Sequence, residues 1–172
     1  RAHQDGRRWW LVDPDGRAFW STGLDCVRAN IQAAAGGLEK ALAWSPARDP
    51  RFADAVSLRG DSPLVNSLAA NFVRAFGPER WREKWASIAL SLVRGFGFNT
   101  IANWSDWEVA SAAGFPYVRP LVWPPREGTN VPRIFRDFPD VLDPAFPAEA
   151  EEYARQLEQT RDDPALIGYF LM

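Results

Sequence analysis

One cysteine, one histidine and one methionine in 172 residues exclude several chemistries at the outset. Cys26 has no partner for an intramolecular disulfide, and between Leu24 and Val27 it reads as a small buried hydrophobe. His3, the sole imidazole, lies in a terminal stretch without metal-ligand spacing. Neither a metal site nor a Ser-His-Asp triad is therefore expected. No apolar run reaches the roughly 18 residues that a membrane-crossing helix needs, and no charged and apolar leader opens the chain. The net charge is only -2, with both signs interspersed, so the basic stripe that nucleic acid or an anionic membrane demands is missing and neither is expected as a partner. No glycine-rich phosphate loop follows a strand; Gly95-Phe96-Gly97 precedes one, on the wrong side for a dinucleotide fingerprint, and no cofactor is expected.

With 47% hydrophobic and 24% charged residues, the chain matches an ordinary globular domain with one core. Nine tryptophans stand out. Trp81 and Trp85 share helical spacing with Ile88 and Leu92, and all four read as core. Most of the others fall at strand ends and loops, where an indole packs against protein or stacks on the C–H face of a sugar.

The first element reads as a hairpin: residues 8–12 and 17–21 flank Asp13-Pro14-Asp15-Gly16, in which proline presets φ and glycine supplies positive φ. The second arm is expected to run on to Val27 as the first core strand, with Gly23 at a bend or bulge. Residues 28–62 carry breakers and little periodicity, and read as a long excursion with short helices. Ser62-Pro63 has the form of a helix cap and first position. A second helix with Trp81, Trp85, Ile88, Ala89, Leu92 and Val93 on one stripe ends at Gly95 and Gly97. Residues 98–103 give a short buried strand, 105–113 a brief helix, 117–123 a third strand, 124–146 a proline-rich loop, and 147–160 a helix with Glu149 near its positive end. Ile167–Met172 completes a fourth strand. The chain starts at Arg1 and stops inside this apolar run, which reads as a segment of a longer polypeptide.

Apolar strands alternating with helices predict an α/β fold with a parallel sheet. Without dinucleotide-binding signals, the expected architecture is the N-terminal half of a (β/α)8 TIM barrel, with about four parallel strands behind a β-hairpin, and the alternative is an open doubly wound sheet. Residues 1–172 then form a single incomplete domain: 1–21 the entry hairpin and 20–172 the first four β/α units. A half barrel has two open sheet edges, which predicts self-association of the isolated segment by size-exclusion chromatography.

Barrels of this kind carry their working residues at the carboxyl ends of the strands. That rule selects Asp25 and Arg28 after the first strand and Asn103, Trp104 and Asp106 after the second. It selects Trp123, then Arg126 and Glu127, after the third. Amides, carboxylates and indoles at one mouth suit a polyhydroxylated ligand. Each has a plainer alternative: Asp106 as a helix cap, Asp25 and Arg28 as an ion pair, Trp123 as a cover over the core.

Residues 9–16 with Phe19–Arg28 resemble the entry hairpin and first strand of β-agarase-like and β-galactosidase-like glycoside hydrolases. Residues 97–106 are similar to their second strand, 138–146 to the segment before their third helix, and 163–172 to their fourth strand. The resemblance implies a retaining glycosidase acting on a polysaccharide or oligosaccharide. Its acid/base glutamate would follow an Asn just after the fourth strand, and its nucleophile would lie near the seventh. Both fall beyond Met172, and none of Glu39, Glu127 or Glu149 stands at a matching position. No catalytic residue is therefore assigned within the chain, the segment alone is expected to be inactive, and its partner is the C-terminal half of the barrel. A polysaccharide hydrolase implies a secreted or periplasmic setting. A non-catalytic carbohydrate-binding barrel and a structural α/β domain remain as alternatives.

Overall fold

The computed structural model describes residues 1–38, 40–123, 131–135 and 138–171. Its contacts divide the chain into two compact units, Arg1–Asp25 with Asn99–Met172, and Cys26–Phe98.

The first unit opens with β1 (Ala2–Gln4), β2 (Trp9–Val12) and β3 (Ala18–Phe19), antiparallel in that order. The turn between β2 and β3 forms as the sequence predicts. Gly16 has φ 85°, its N–H donates to the Asp13 carbonyl at 3.1 Å, and the Arg17 N–H donates to Asp13 Oδ1 at 2.8 Å. β1 joins through a second turn, where Asp5 accepts from the Arg7 and Arg8 N–H groups and from the Trp10 indole. The strand after the hairpin is shorter than expected: β4 is only Gly23–Leu24. Gly23 is neither bend nor bulge. A Cβ built on it would meet Thr100 Cβ and the Thr100 carbonyl at 3.0 Å each, so its hydrogen is what lets two backbones approach closely.

The second unit corrects four expectations. Residues 28–62 hold strands as well as short helices. They hold β5 (Gln32–Ala34), two 3-10 turns (Pro46–Arg48 and Pro50–Ala55) and β6 (Val56–Arg59), and with β7 (Ser62–Asn66) form an antiparallel sheet of order β5-β7-β6. Strands of three to five residues are too short to show a period of two. Ser62-Pro63 therefore lies in a strand, because Leu64 and Val65 are buried in the pairing with β5 and β6. The helix α1 (Ser67–Phe76) starts later, capped by Asn66, whose Oδ1 accepts from the Ala69 N–H at 3.0 Å while Nδ2 donates to the Ala29 carbonyl at 2.7 Å. In α2 (Trp81–Gly95) the buried residues are Trp81, Trp85, Leu90 and Val93. Ile88 and Leu92, expected in the core, are 40% and 53% exposed. At 100° per residue Ile88 falls outside the buried arc beside Trp81, whereas Leu92 projects between Trp81 and Trp85, so helical spacing alone does not account for its exposure. Cys26, expected buried, is exposed; it follows the end of β4 with φ 60°, outside any strand.

Back in the first unit, β8 (Thr100–Ile101), α3 (Trp107–Ala112), β9 (Tyr117–Leu121), a hairpin of β10 (Arg133–Phe135) and β11 (Phe138–Pro139), α4 (Phe146–Ala154) and β12 (Leu166–Leu171) follow. The β10–β11 hairpin occupies part of the predicted loop 124–146. A 3-10 turn, Arg155–Gln159, completes the helix predicted over 147–160. The main sheet has order β12-β9-β8-β4 with every pair parallel, so each new strand in the chain adds beside the previous one. Asn99 extends the junction of β4 and β8, its side chain accepting from the Thr22 N–H and donating to the Trp20 carbonyl, both at 2.8 Å.

One face of this sheet carries the helices. Tyr117, Arg119 and Leu121 alternate on β9 and are all buried. The Arg119 guanidinium donates to the Gln156 carbonyl (2.6 Å), Thr160 Oγ1 (2.9 Å) and Gln159 Oε1 (2.9 Å), and lies 4.4 Å from the Trp107 ring centroid. Tyr169 on β12 faces the same way, toward Thr160. Because a strand alternates its side chains, Val118, Pro120, Gly168 and Phe170 point to the other face.

Candidate functional site at the carboxyl ends of the parallel strands

Three loops leave the carboxyl ends of β4, β8 and β9, and the residues expected to carry function sit on them. Asp25 directly follows β4. Its Oδ1 accepts the backbone N–H of Asn103 at 2.9 Å, so a carboxylate clamps the exit of the neighbouring strand. The donor that Asp25 needs is thus a peptide group; Arg28, the sequence candidate, is exposed and belongs to the second unit.

Asn103 is 6% exposed. Neither its Oδ1 nor its Nδ2 has a hydrogen-bond partner among the described residues. Buried amides are almost always paired, because leaving one unpaired costs about 1–3 kcal/mol. An unpaired amide at a strand end is therefore unusual, and it falls at the position the sequence singled out for an amide beside Trp104. Trp104, the next residue, has φ 55°, remains 48% exposed, and leans on Phe170, with ring centroids 5.8 Å apart and planes at 59°. Asp106 occupies the N-cap position of α3 but makes no side-chain capping bond.

Trp123 goes elsewhere. Its indole stacks on Phe146 of α4 (5.8 Å, 7°) and on Tyr153 (4.4 Å, 32°), and its N–H donates to Glu149 Oε1. Arg133 Nη2 donates to the same oxygen at 2.8 Å, forming an ion pair whose side chains are 6% and 8% exposed. Burial pushes the Glu149 carboxyl up, but the Trp123 indole, the Arg133 guanidinium and the Val131 N–H outweigh it and hold the carboxyl below its ordinary range. The contacts of Trp123 are those of a cover packed on α4. Among the described contacts, none joins it to Asn103 or Trp104. Arg126, Glu127, Glu39 and Met172 lie outside the described residues.

Sequence reasoning missed the Glu149–Arg133 pair and Phe170. The pair joins residues sixteen apart through a loop that periodicity does not read. Phe170 was visible as part of an apolar strand, but nothing in the run 167–171 tells which alternate residues face the helices.

Two clefts lie within the second unit. One, of about 300 Å³, is lined mainly by Ala33, Leu38, Leu42, Trp44 and Ala70; the other, of about 680 Å³, by Trp44, Asp49, Arg51, Phe52 and Arg74. Among the described residues no group of three or more His, Cys, Asp or Glu could hold a metal ion. Among the described residues no helix is long and apolar enough to cross a membrane.

No protein-family model matches the chain. The β-agarase A of Vibrio sp. (strain JT0107) is 28% identical over 124 aligned residues, covering 64% of this chain and 12% of that protein. The crystal structure of an agarase, AgWH50C, superposes with a TM-score of 0.79 at 25% identity over 99% of this chain and 28% of its own. An exo-β-agarase gives a TM-score of 0.75 at 21% identity, over 99% of this chain and 30% of its own, a likeness of fold. The chain thus spans about an eighth of the curated relative and under a third of the solved structures. In sequence and in fold it is agarase-like, similar to one portion of those longer proteins.

Proposed function

We propose that this chain is part of a glycoside hydrolase that cleaves O-glycosidic bonds in an agar-type, galactose-containing polysaccharide, and that it forms the first four β/α units of a (β/α)8 barrel. The observation that carries the reading is the superposition on an agarase over 99% of the chain with a TM-score of 0.79. The sheet order supports it independently. Four parallel strands that add in sequence order, with no reversal, suit a singly wound barrel better than a doubly wound sheet, whose order turns back at a switch point.

In this proposal the mechanism is retaining. Two glutamates outside residues 1–172, about 5–5.5 Å apart, act as acid/base and nucleophile. Glu149 takes no part, its carboxylate being committed to Arg133 and Trp123. The chain contributes substrate binding through Asn103 and Trp104, with Asp25 fixing the Asn103 backbone. Asp106 supplies an outer polar contact, and Trp123 forms a wall held by α4. The substrate implies a secreted or periplasmic enzyme.

The test is made on the longer polypeptide that contains this segment. Reducing ends should accumulate from agarose, and NMR of the first product should show the anomeric configuration of the substrate retained. Inverted product would overturn the retaining mechanism. Binding of oligosaccharide with no hydrolysis under any condition would favour a carbohydrate-binding barrel instead.

A further inference from the structure

Trp104 holds a backbone conformation that its packing does not explain. A φ of 55° lies in the left-handed region, which a bulky side chain enters only against steric resistance from its own Cβ. Strain of this kind persists where the surroundings enforce it, and it gathers at binding and catalytic sites. Here the return is not burial, since the residue stays 48% exposed. What the conformation achieves is to set the indole against Phe170, 5.8 Å away with the planes at 59°. Phe170 lies near the carboxyl end of β12, 42% exposed, on the face opposite Arg119 and Tyr169 and in register with Pro120 of β9. Two tilted aromatic rings thus stand half in solvent at the strand ends, one residue from the orphaned Asn103 amide.

We infer that Trp104 and Phe170 form a cradle for the C–H face of a pyranose ring, with the indole as platform and the phenyl ring as its side wall. Phe170 is then a specificity-determining residue of the substrate site. A pyranose offers an apolar face of axial C–H groups rimmed by hydroxyls, which matches a broad ring beside a narrower one. The tilt leaves room for the sugar's edge, where two parallel rings would close on each other. This rests on the glycosidase reading for the kind of ligand, and on the two rings alone for the place where it sits.

The experiment uses the full-length polypeptide and a neutral galactose-containing oligosaccharide. Affinity is measured by calorimetry and kcat and KM by hydrolysis, with a melting curve for every variant. Trp104→Ala should weaken binding about tenfold, the scale of one aromatic stack. Phe170→Ala should weaken it several-fold, and the double variant should do little worse than Trp104→Ala, because the wall acts through the platform. Phe170→Leu keeps apolar bulk and should fold, yet should bind like Phe170→Ala; wild-type affinity in it would overturn the cradle. Unchanged affinity in Trp104→Ala, with hydrolysis intact, would overturn it too and leave the glycosidase reading standing. Absent hydrolysis with Trp104-dependent binding would do the reverse.

Discussion

Removing the Asp163 carboxylate should destabilise the sheet through Tyr117, and a double-mutant cycle isolates the effect. Asp163 precedes β12. Its Oδ2 accepts from Ser111 Oγ at 2.6 Å and from Tyr117 Oη at 2.8 Å, and its Oδ1 accepts the Ala165 N–H at 2.8 Å. One side chain therefore ties α3, β9 and the start of β12. Tyr117 is fully buried, so Asp163→Ala leaves its hydroxyl without a partner at about 1–3 kcal/mol, in addition to the loss of charge-assisted bonds worth about 1.5–3 kcal/mol. A total near 3–5 kcal/mol is expected. Tyr117→Phe removes the donor and the group that would be orphaned together, at about 1–2 kcal/mol. In the double variant the orphan no longer exists, so the combined loss should fall short of the sum by about 1–2 kcal/mol. Urea midpoints of a longer polypeptide containing the chain measure this. Additivity to within about 0.5 kcal/mol would refute the reasoning. The alkaline limb checks it again. Burial and the Asp163 carboxylate push the Tyr117 hydroxyl up to about 12. A folded-state pKa above the unfolded value of about 10 gives stability that is complete below pH 10 and lost as pH rises toward 12. Tyr117→Phe should remove that loss.

Gly23→Ala should lower stability by about 1–3 kcal/mol, because the new Cβ meets Thr100 atoms at 3.0 Å and neither the backbone nor a β-branched side chain gives way easily; an unchanged denaturation midpoint would mean that β4 and β8 do not approach as described. Glu149→Ala breaks a buried ion pair and should cost about 3–5 kcal/mol while red-shifting Trp123 emission; unaltered emission would show that the carboxylate does not hold the indole. The Glu149 and Asp163 carboxyls both titrate below their ordinary values. Their stabilisation is therefore present above about pH 4.5 and lost as pH falls through the depressed folded-state values. Acid unfolding should begin at higher pH once either is replaced by its amide, and an identical acid limb would contradict this.

Glycine and proline made much of the fold legible. Asp13–Gly16 gives the hairpin. Gly97 and Gly114 end α2 and α3 with the same pair of backbone bonds, from Gly97 and Phe98 to Arg94 and Val93, and from Gly114 and Phe115 to Ser111 and Ala110. The strands at 100–101, 117–121 and 166–171 lie where apolar runs predicted them. What misled was local chemistry that a neighbour overruled. Ser62-Pro63 has a valid cap pattern, yet pairing of Leu64 and Val65 with flanking strands outweighs it and passes the cap to Asn66. Ile88 and Leu92 fit a helical stripe, but which arc of α2 is buried depends on the elements packed against it.

The sequence by itself determined the succession of strands and helices and the short list of polar and aromatic residues at the strand ends, because turns, caps and apolar runs are local properties of the chain. Only the tertiary structure decided that Asp25 clamps Asn103, that Trp123 is spent on α4, and that Trp104 meets Phe170. Those outcomes depend on which face each strand turns to the helices and on contacts between residues tens of positions apart, and no periodicity within one segment carries that information.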